Sequence, residues 1–208
     1  MAWSIWTQRN QVCLCQTAPT LHLVEQLSRD RLCEFHACQA SPLPCHQPRA
    51  KIRWVPPPRD LVKINFDGAV FASENKAGIG VVLRNSSSLV IALWSQILPQ
   101  AYSVEEIEAL AAAKALSFAA EIGVSRAVLE GDSLVVIKAL SDESVSLAPF
   151  GLLVEDVKVL SQCFSQLLYS HTKREGNSVA HSLARYAIDI PNFSVWMEDI
   201  PPQFFHVL

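Results

Sequence analysis

Three acidic side chains stand beside apolar sequence, where a buried carboxylate is costly unless it meets a cation. Asp67 ends an alternating apolar and polar stretch, Glu108 lies one turn inside an alanine-rich helical segment, and Asp132 follows a short apolar stretch. Taken one at a time, each acid has an ordinary explanation. Asp67 begins an Asp-Gly dipeptide typical of hairpins, Asp132 is placed to cap a helix, and Glu108 could extend to solvent.

The relative positions of these acids favour a function for all three. Asp67 is expected at the end of the first strand, Glu108 inside the helix that follows the third strand, and Asp132 at the end of the fourth strand. If the fourth strand pairs beside the first, the three carboxylates converge at one edge of the sheet. Clustered acids without basic partners repel one another unless divalent cations bind, so the sequence predicts a divalent metal site.

The elements that would position these residues follow from the hydrophobic periodicity. We predict strands at 62–67, 79–83, 89–94, 127–130 and 167–170, and helices at 104–122, 133–140, 152–164 and 179–188. Short polar turns make the first three strands an antiparallel meander, and the later alternation of strand and helix adds parallel strands. The order βββαβααβα predicts an α/β fold, a mixed five-stranded sheet with helices on both faces.

The first 60 residues have a different composition from the rest of the chain. They hold five of the six cysteines and none of the seven glycines, and six of the twelve prolines fall between residues 41 and 60. This pattern predicts a poorly defined helical arm at 1–40 and an extended proline-rich linker at 41–60. The domain is then expected at 61–190, followed by a C-terminal tail at 191–208.

Cysteine and histidine in the arm and linker are zinc ligands by type. The candidates are Cys33, His36, Cys38, Cys45 and His46, but their spacing is looser than in zinc knuckles and ribbons, which disfavours a zinc site. The N-terminus lacks a charged lead into an apolar run, and no stretch approaches the roughly 18–20 apolar residues of a membrane span. We expect an intracellular monomer, nuclear or cytoplasmic, without disulfides or membrane contact.

Net charge also differs between the first 60 residues and the rest of the chain. Residues 1–60 hold seven basic and four acidic residues, a net charge of +3, and residues 61–208 hold ten and sixteen, a net charge of −6. The main domain therefore lacks the large basic surface of proteins that bind nucleic acid strongly by charge alone. Any nucleic-acid binding is expected to be weak and to depend steeply on salt and metal.

Six short motifs lie between residue 61 and about residue 189. They are Lys63-Ile-Asn-Phe-Asp-Gly-Ala69, Gly78-Ile-Gly-Val-Val-Leu-Arg-Asn85, Glu108-Ala-Leu-Ala111, Glu130-Gly-Asp-Ser133, Arg174-Glu-Gly-Asn177 and Val179-Ala-His-Ser-Leu-Ala184. In this order they resemble a type 1 ribonuclease H domain. The resemblance is more specific to the reverse-transcriptase-like subgroup abundant in plant genomes and derived from non-LTR retroelements. Trp6-Thr-Gln-Arg-Asn10 and Trp54-Val-Pro-Pro-Pro58 are similar to the region that precedes the domain in such elements.

The resemblance implies a metal-dependent endonuclease that cleaves the RNA strand of RNA–DNA hybrids, with two Mg²⁺ or Mn²⁺ ions on a carboxylate cluster. By motif position, Asp67, Glu108 and Asp132 are the implied catalytic metal ligands, and Glu108 lies where the family reads the 2′-hydroxyl. His171 lies where the family has a mobile histidine that helps product release. The alternative for His171 is a polar residue at a strand end.

The chain departs from the family at the fourth carboxylate, whose position is occupied by His181. A neutral imidazole is a poorer ligand than a carboxylate for hard Mg²⁺ and brings no negative charge. We therefore expect the second metal to bind more weakly, with Mn²⁺ supporting activity better than Mg²⁺. The connection at 141–146 also lacks the basic residues that some relatives use to grip hybrids.

Three functions remain open from the sequence. The first is the hybrid-cleaving endonuclease, the second a catalytically degraded nucleic-acid-binding module, and the third a retroelement relic without a nucleic-acid role. Aromatic residues in the tail, such as Phe193, Trp196 and Phe205, could form a stacking platform for bases. Such tails more often pack back on the domain, so no site is assigned there.

Overall fold

The computed structural model describes residues 2–38, 54–142, 144 and 148–207, with side chains described at 4–35, 54–142, 144 and 148–205. The chain divides into two compact units, Met1–Ala50 and Lys51–Leu208. Most of the predicted linker, with Cys45 and His46 of the disfavoured zinc site, lies outside the described residues. So do the side chains of His36 and Cys38.

The described residues of the first unit form two helices, α1 (Ala2–Cys13) and α2 (Leu21–Cys38). The Gln8 side chain donates to the Pro19 carbonyl at 2.9 Å, which closes the connection between the helices. Val24 is buried, whereas Cys33 is exposed. Within the described ranges, no helix is both long and apolar enough to cross a membrane.

The described residues of the second unit form six strands and four α-helices. The strands are β1 (Val62–Phe71), β2 (Lys76–Arg84), β3 (Val90–Leu98), β4 (Arg126–Gly131), β5 (Gln166–His171) and β6 (Phe193–Met197). The helices are α3 (Val104–Glu121), α4 (Leu134–Ser141), α5 (Gly151–Ser161) and α6 (Ser178–Tyr186). Short 3₁₀ helices occupy Ala72–Glu74, Ala187–Asp189 and Pro202–Val207. The predicted α/β class and the order βββαβααβα are confirmed over 62–186.

The strands form one mixed sheet in the order β5-β4-β1-β2-β3-β6. The pairs β1–β2, β2–β3 and β3–β6 are antiparallel, whereas β1–β4 and β4–β5 are parallel. The fourth strand therefore does pair beside the first, which brings the end of β4 next to the middle of β1.

The prediction of five strands is wrong, because β6 adds a sixth from the segment interpreted as a tail. Phe193–Met197 pairs with β3 and satisfies backbone groups that would otherwise be unpaired at a sheet edge. The Phe193 ring also stacks on Trp94 with centroids 4.9 Å apart. The alternation in this segment is only five residues long and is flanked by prolines, so periodicity alone did not identify it.

Helices cover both faces of the sheet, as the fold prediction requires. One face packs on α3, with α4 and α5 beside it, around side chains such as Ile64, Phe66 and Leu116. The other face packs on α6, where Leu93, Leu183 and other apolar side chains form a second core. The two cores hold the sheet rigidly between layers of helix, which is the arrangement needed to fix side chains at its surface.

Candidate metal centre

Asp67 lies inside β1 rather than at a hairpin. It pairs with Gly80 of β2, and the strand continues to Phe71. The turn comes later, where Asn75 ends a short 3₁₀ helix in the left-handed conformation at φ 51°. The Asp-Gly hairpin interpretation is therefore wrong, and the Asp67 side chain is fully buried on the face of the sheet that carries α6.

Glu108 is held by the start of α3. Ser103 and Glu106 form a reciprocal capping box that sets where the helix begins. Small alanine side chains follow Glu108 in α3 and allow the helix to approach the sheet closely. Glu108 is 4% exposed. It does not extend to solvent: its carboxylate accepts a hydrogen bond from the Gly68 backbone N–H beside Asp67.

Asp132 follows directly after β4. The side chain of the next residue, Ser133, accepts the bond from Val136 N–H that caps α4, so Asp132 is not the capping group. Parallel pairing of β4 with β1 places Glu130 opposite Asn65, two residues before Asp132 and Asp67 respectively. The register therefore brings these two aspartates side by side.

The three acids form a cluster. Carboxylate oxygens of Asp67, Glu108 and Asp132 all lie within 4.8 Å of one another. Burial, followed by the charges of Asp67 and Asp132, raises the pKa of Glu108 to about 9. Burial and the charge of Asp67 raise the pKa of Asp132 to about 6, partly offset by Arg174. Without a cation, this site therefore favours bound protons.

His181 comes from α6 and reaches the cluster through Asp67. Its Nδ1 donates to Asp67 Oδ2 at 2.7 Å. α6 lies close to β2 because Gly78 and Gly80 have no side chains, and a Cβ on Gly80 would collide with the Ala180 carbonyl oxygen. Asn177 does not cap α6 with its side chain; its Nδ2 instead donates to the Phe66 carbonyl at 2.8 Å and ties α6 to β1.

Arg174 is a neighbour of the cluster that the sequence analysis did not single out as a site residue. Its Nη2 lies 2.9 Å from each ring nitrogen of His181, and its Nη1 lies 3.7 Å from Asp132 Oδ2. The guanidinium thus lies against both a carboxylate and the imidazole. Its seven-residue separation from His181 spans the end of a loop and the start of α6, so helical spacing would not have identified it.

His171 is at the end of β5, exposed to solvent. Its Nε2 lies 3.2 Å from the backbone oxygen of Asp132. The imidazole is therefore at the margin of the cluster and contacts the backbone of Asp132. This position is compatible with both alternatives from the sequence, a strand-end polar residue and a mobile group beside the site.

The donor atoms of the cluster fit a divalent cation. Within the described part of the chain, Asp67 Oδ1 and Glu108 Oε2 are buried and have no hydrogen-bond partner. Buried carboxylate oxygens of this kind are costly unless a cation or water satisfies them. Oxygen donors are the ligands that Mg²⁺ and Mn²⁺ prefer, whereas the imidazole of His181 suits softer metals better.

Comparison with known proteins identifies the family. A family model described as "Reverse transcriptase-like" matches residues 65–187, which include all five candidate site residues. The chain belongs to the reverse transcriptase-like family. A relative in this comparison, an Arabidopsis thaliana protein named as a ribonuclease H protein, is 32% identical over 146 residues. Those residues are 69% of this chain but only 23% of the relative.

Solved structures similar to this reverse transcriptase-like chain carry the RNase H fold. RNase H1 from the archaeon Halobacterium salinarum is 27% identical with a TM-score of 0.57, over 62% of this chain and 97% of that protein. The N-terminal RNase H domain of a Mycobacterium tuberculosis protein is 26% identical with a TM-score of 0.56, over 62% of this chain and 93% of that one. The predicted ribonuclease H-like fold is confirmed.

Proposed function

We propose that this protein is a divalent-metal-dependent endonuclease that hydrolyses the RNA strand of RNA–DNA hybrids. The observation that carries the proposal is the convergence of three carboxylates, from β1, from α3 and from the residue that follows β4. The two from β1 and α3 are buried, and each has an oxygen that lacks a protein partner. The family supports the same chemistry. A compost-derived RNase H1 of the same fold, solved with an RNA/DNA hybrid, gives an example of that substrate class.

In this proposal Asp67, Glu108 and Asp132 hold Mg²⁺ or Mn²⁺, and His181 is a weaker fourth ligand. Bound ions would activate the attacking water and stabilise the leaving oxygen of the phosphodiester. In the same proposal the Glu108 carboxylate accepts from a ribose 2′-hydroxyl, the group that DNA lacks, as the family resemblance implies. His171, exposed beside Asp132, assists release of the product strand.

The alternative is a binding module that has lost catalysis. It is favoured by one observation: His181 and Arg174 contact Asp67 and Asp132, so that nitrogen groups lie where a fourth carboxylate would be expected. Such a protein would bind hybrids without cutting them. The Arabidopsis relative and the family also support an origin in a plant retroelement, and we propose an intracellular, monomeric protein.

The test is cleavage of a labelled RNA–DNA hybrid by the full chain, in Mg²⁺ and in Mn²⁺. Asp67→Asn removes a ligand charge with little change in shape and is expected to reduce cleavage by at least 100-fold, the scale of losing a group that acts in the transition state. Asp156→Asn, an exposed position on α5, is the matched control and should cut at the unaltered rate. No cutting by the folded, unaltered protein in either ion would favour the binding module.

A further inference from the structure

Four polar side chains lie buried together near the three acids, and the proposed function assigns them no role. Lys63 and Asn65 of β1, Arg84 of β2 and Glu130 of β4 are each 7% exposed or less, and we call them the polar cluster. Lys63 Nζ lies 2.9 Å from Glu130 Oε2. Burial lowers the pKa of Arg84 to about 10, so this arginine remains charged at neutral pH.

Asn65 is the centre of the polar cluster. Its Nδ2 donates to Glu130 Oε1 at 2.9 Å, and its Oδ1 accepts from Arg84 Nη2 at 3.1 Å. Ser170 of β5 donates to the other Glu130 oxygen at 3.0 Å. Side-chain bonds therefore connect four adjacent strands, β5, β4, β1 and β2.

The proline-rich segment before β1 covers this cluster. Trp54 Nε1 donates to Asn65 Oδ1 at 2.9 Å, and the Arg84 guanidinium lies 3.8 Å from the centre of the Trp54 ring. The backbone oxygen of Val55 accepts from Lys63 Nζ at 2.7 Å, and Pro57 is buried. Residues 54–58, which we call the strap, thus pack on the sheet as part of the folded unit, although the sequence predicted a linker there.

The polar cluster joins β1, which carries Asp67, to β4, which ends directly before Asp132. Asn65 and Glu130 are register partners, and each precedes one of these aspartates by two residues. Side chains two residues apart in a strand share a face, and the chain rises roughly 6.6 Å between them. A change in the spacing of β1 and β4 at Asn65 is therefore passed to the aspartates one pleat away.

We propose that Trp54 and Asn65 are positioning residues that hold Asp67 and Asp132 at the separation needed to bind a divalent cation. This inference rests on the proposed metal function of those aspartates. Trp54 acts by completing the bonds of Asn65 and excluding water from the ion pair between Lys63 and Glu130. The strap therefore contributes to the geometry of the metal site.

The test compares the full-length chain with Trp54→Ala and Trp54→Phe by calorimetric titration with MnCl₂. Trp54→Ala removes both the hydrogen bond and the ring, and its Mn²⁺ affinity should fall about tenfold, within the range for outer-shell substitutions at metal sites. Trp54→Phe keeps a ring over Arg84 and should recover part of that loss. On a hybrid substrate, kcat should fall while KM stays unchanged.

Trp196→Phe is the matched control, since this partly buried tryptophan lies in the second core against Tyr186 and Phe204. It should alter thermal stability without altering Mn²⁺ affinity. Wild-type Mn²⁺ affinity in both Trp54 variants would overturn the proposal. If Trp54→Ala does not fold, the Mn²⁺ affinity of Trp54→Phe is the test: an affinity below that of the unaltered chain supports the proposal, and an equal affinity overturns it. If the proposed metal function itself is wrong, the unaltered chain will bind no Mn²⁺. That result would refute both the proposed function and the positioning role of Trp54.

Discussion

Glu108 makes the stability of the metal-free protein depend on pH. Its pKa rises from 4.5 in the unfolded chain to about 9 in the folded one, so the folded state holds this proton more tightly. Stability should therefore be greatest below about pH 4.5, as far as this group is concerned, and decline as the pH rises towards 9. Asp132, whose pKa is raised to about 6, also makes the folded state less stable as the pH rises, but over a lower pH range.

Glu108→Gln keeps the shape of the side chain and removes its charge. In EDTA at pH 8 we expect this variant to be more stable than the unaltered protein by ~1–3 kcal/mol, with little difference at pH 5. Thermal unfolding followed by circular dichroism between pH 5 and 9 measures this. Glu121→Gln, at the exposed end of α3, is the control and should follow the unaltered protein. Equal melting temperatures of Glu108→Gln and the unaltered chain at pH 8 would contradict the prediction.

His181 should make the site discriminate between metals. An imidazole is a weaker donor for Mg²⁺ than for Mn²⁺, so hybrid cleavage is expected to be faster in Mn²⁺. His181→Asp supplies a fourth carboxylate and should raise the Mg²⁺-dependent rate by about tenfold, the scale of changes around metal ligands. The measurement is initial rate against metal concentration for both proteins. Equal rates of the unaltered chain in low Mg²⁺ and low Mn²⁺ would count against it.

The sequence predicted the acidic residues better than their surroundings. Asp67, Glu108 and Asp132 could be selected because each is a costly residue in apolar sequence and because their order along the chain matches a family motif. Arg174 could not, since its contact with Asp132 depends on how the loop before α6 returns to the sheet. Asn65 lies in the alternating apolar and polar stretch that ends at Asp67, but nothing in local spacing indicated that Trp54 would contact it.

At the scale of elements, the approach of α6 to β2 controls the position of His181. Gly80→Ala introduces a Cβ against the backbone of α6, which must move away or strain the sheet. We expect a loss of ~1–3 kcal/mol in the free energy of unfolding and weaker Mn²⁺ binding, measured by urea denaturation and titration.

Gly123→Ala provides the comparison for this experiment. Gly123 adopts φ +83° after α3 with no atom near its missing Cβ, so alanine is strained there only by its backbone. This variant should also be less stable, yet bind Mn²⁺ as the unaltered chain does. Unchanged stability of Gly80→Ala would show that α6 is not held as closely as the structure indicates.

Long periodic elements were predictable, and short ones at the sheet edge were not. α3 was predicted to within one residue because its alanine-rich pattern extends over five turns. β1 was predicted too short, since Gly68 was interpreted as a turn signal although it lies in the strand beside α3. β6 was missed because its pairing with β3 is a long-range contact that no local pattern reveals.

Considered as a whole molecule, the protein has little positive charge with which to attract nucleic acid. The −6 charge of residues 61–208 predicts that hybrid affinity in EDTA is low and falls further with salt. Addition of Mn²⁺ should raise the affinity by about tenfold or more, because it removes the repulsion between the acids and phosphate. Fluorescence anisotropy with a hybrid whose RNA strand is 2′-O-methylated, and so resists cleavage, measures this. Tight, salt-resistant binding in EDTA would contradict the prediction.

The pairing of β1 with β4 has a consequence for synthesis of the chain. Lys63 and its partner Val128 are separated by the whole of β2, β3 and α3, and His181 is added only by α6. During translation, domains emerge from their N-terminal end, so Asp67 leaves the ribosome long before its partners. A nascent chain stalled before residue 132 therefore has one or two of the acids and no complete centre. The complete site can form only after α6 has left the ribosome. Any nuclease activity is therefore expected only from the fully synthesised domain.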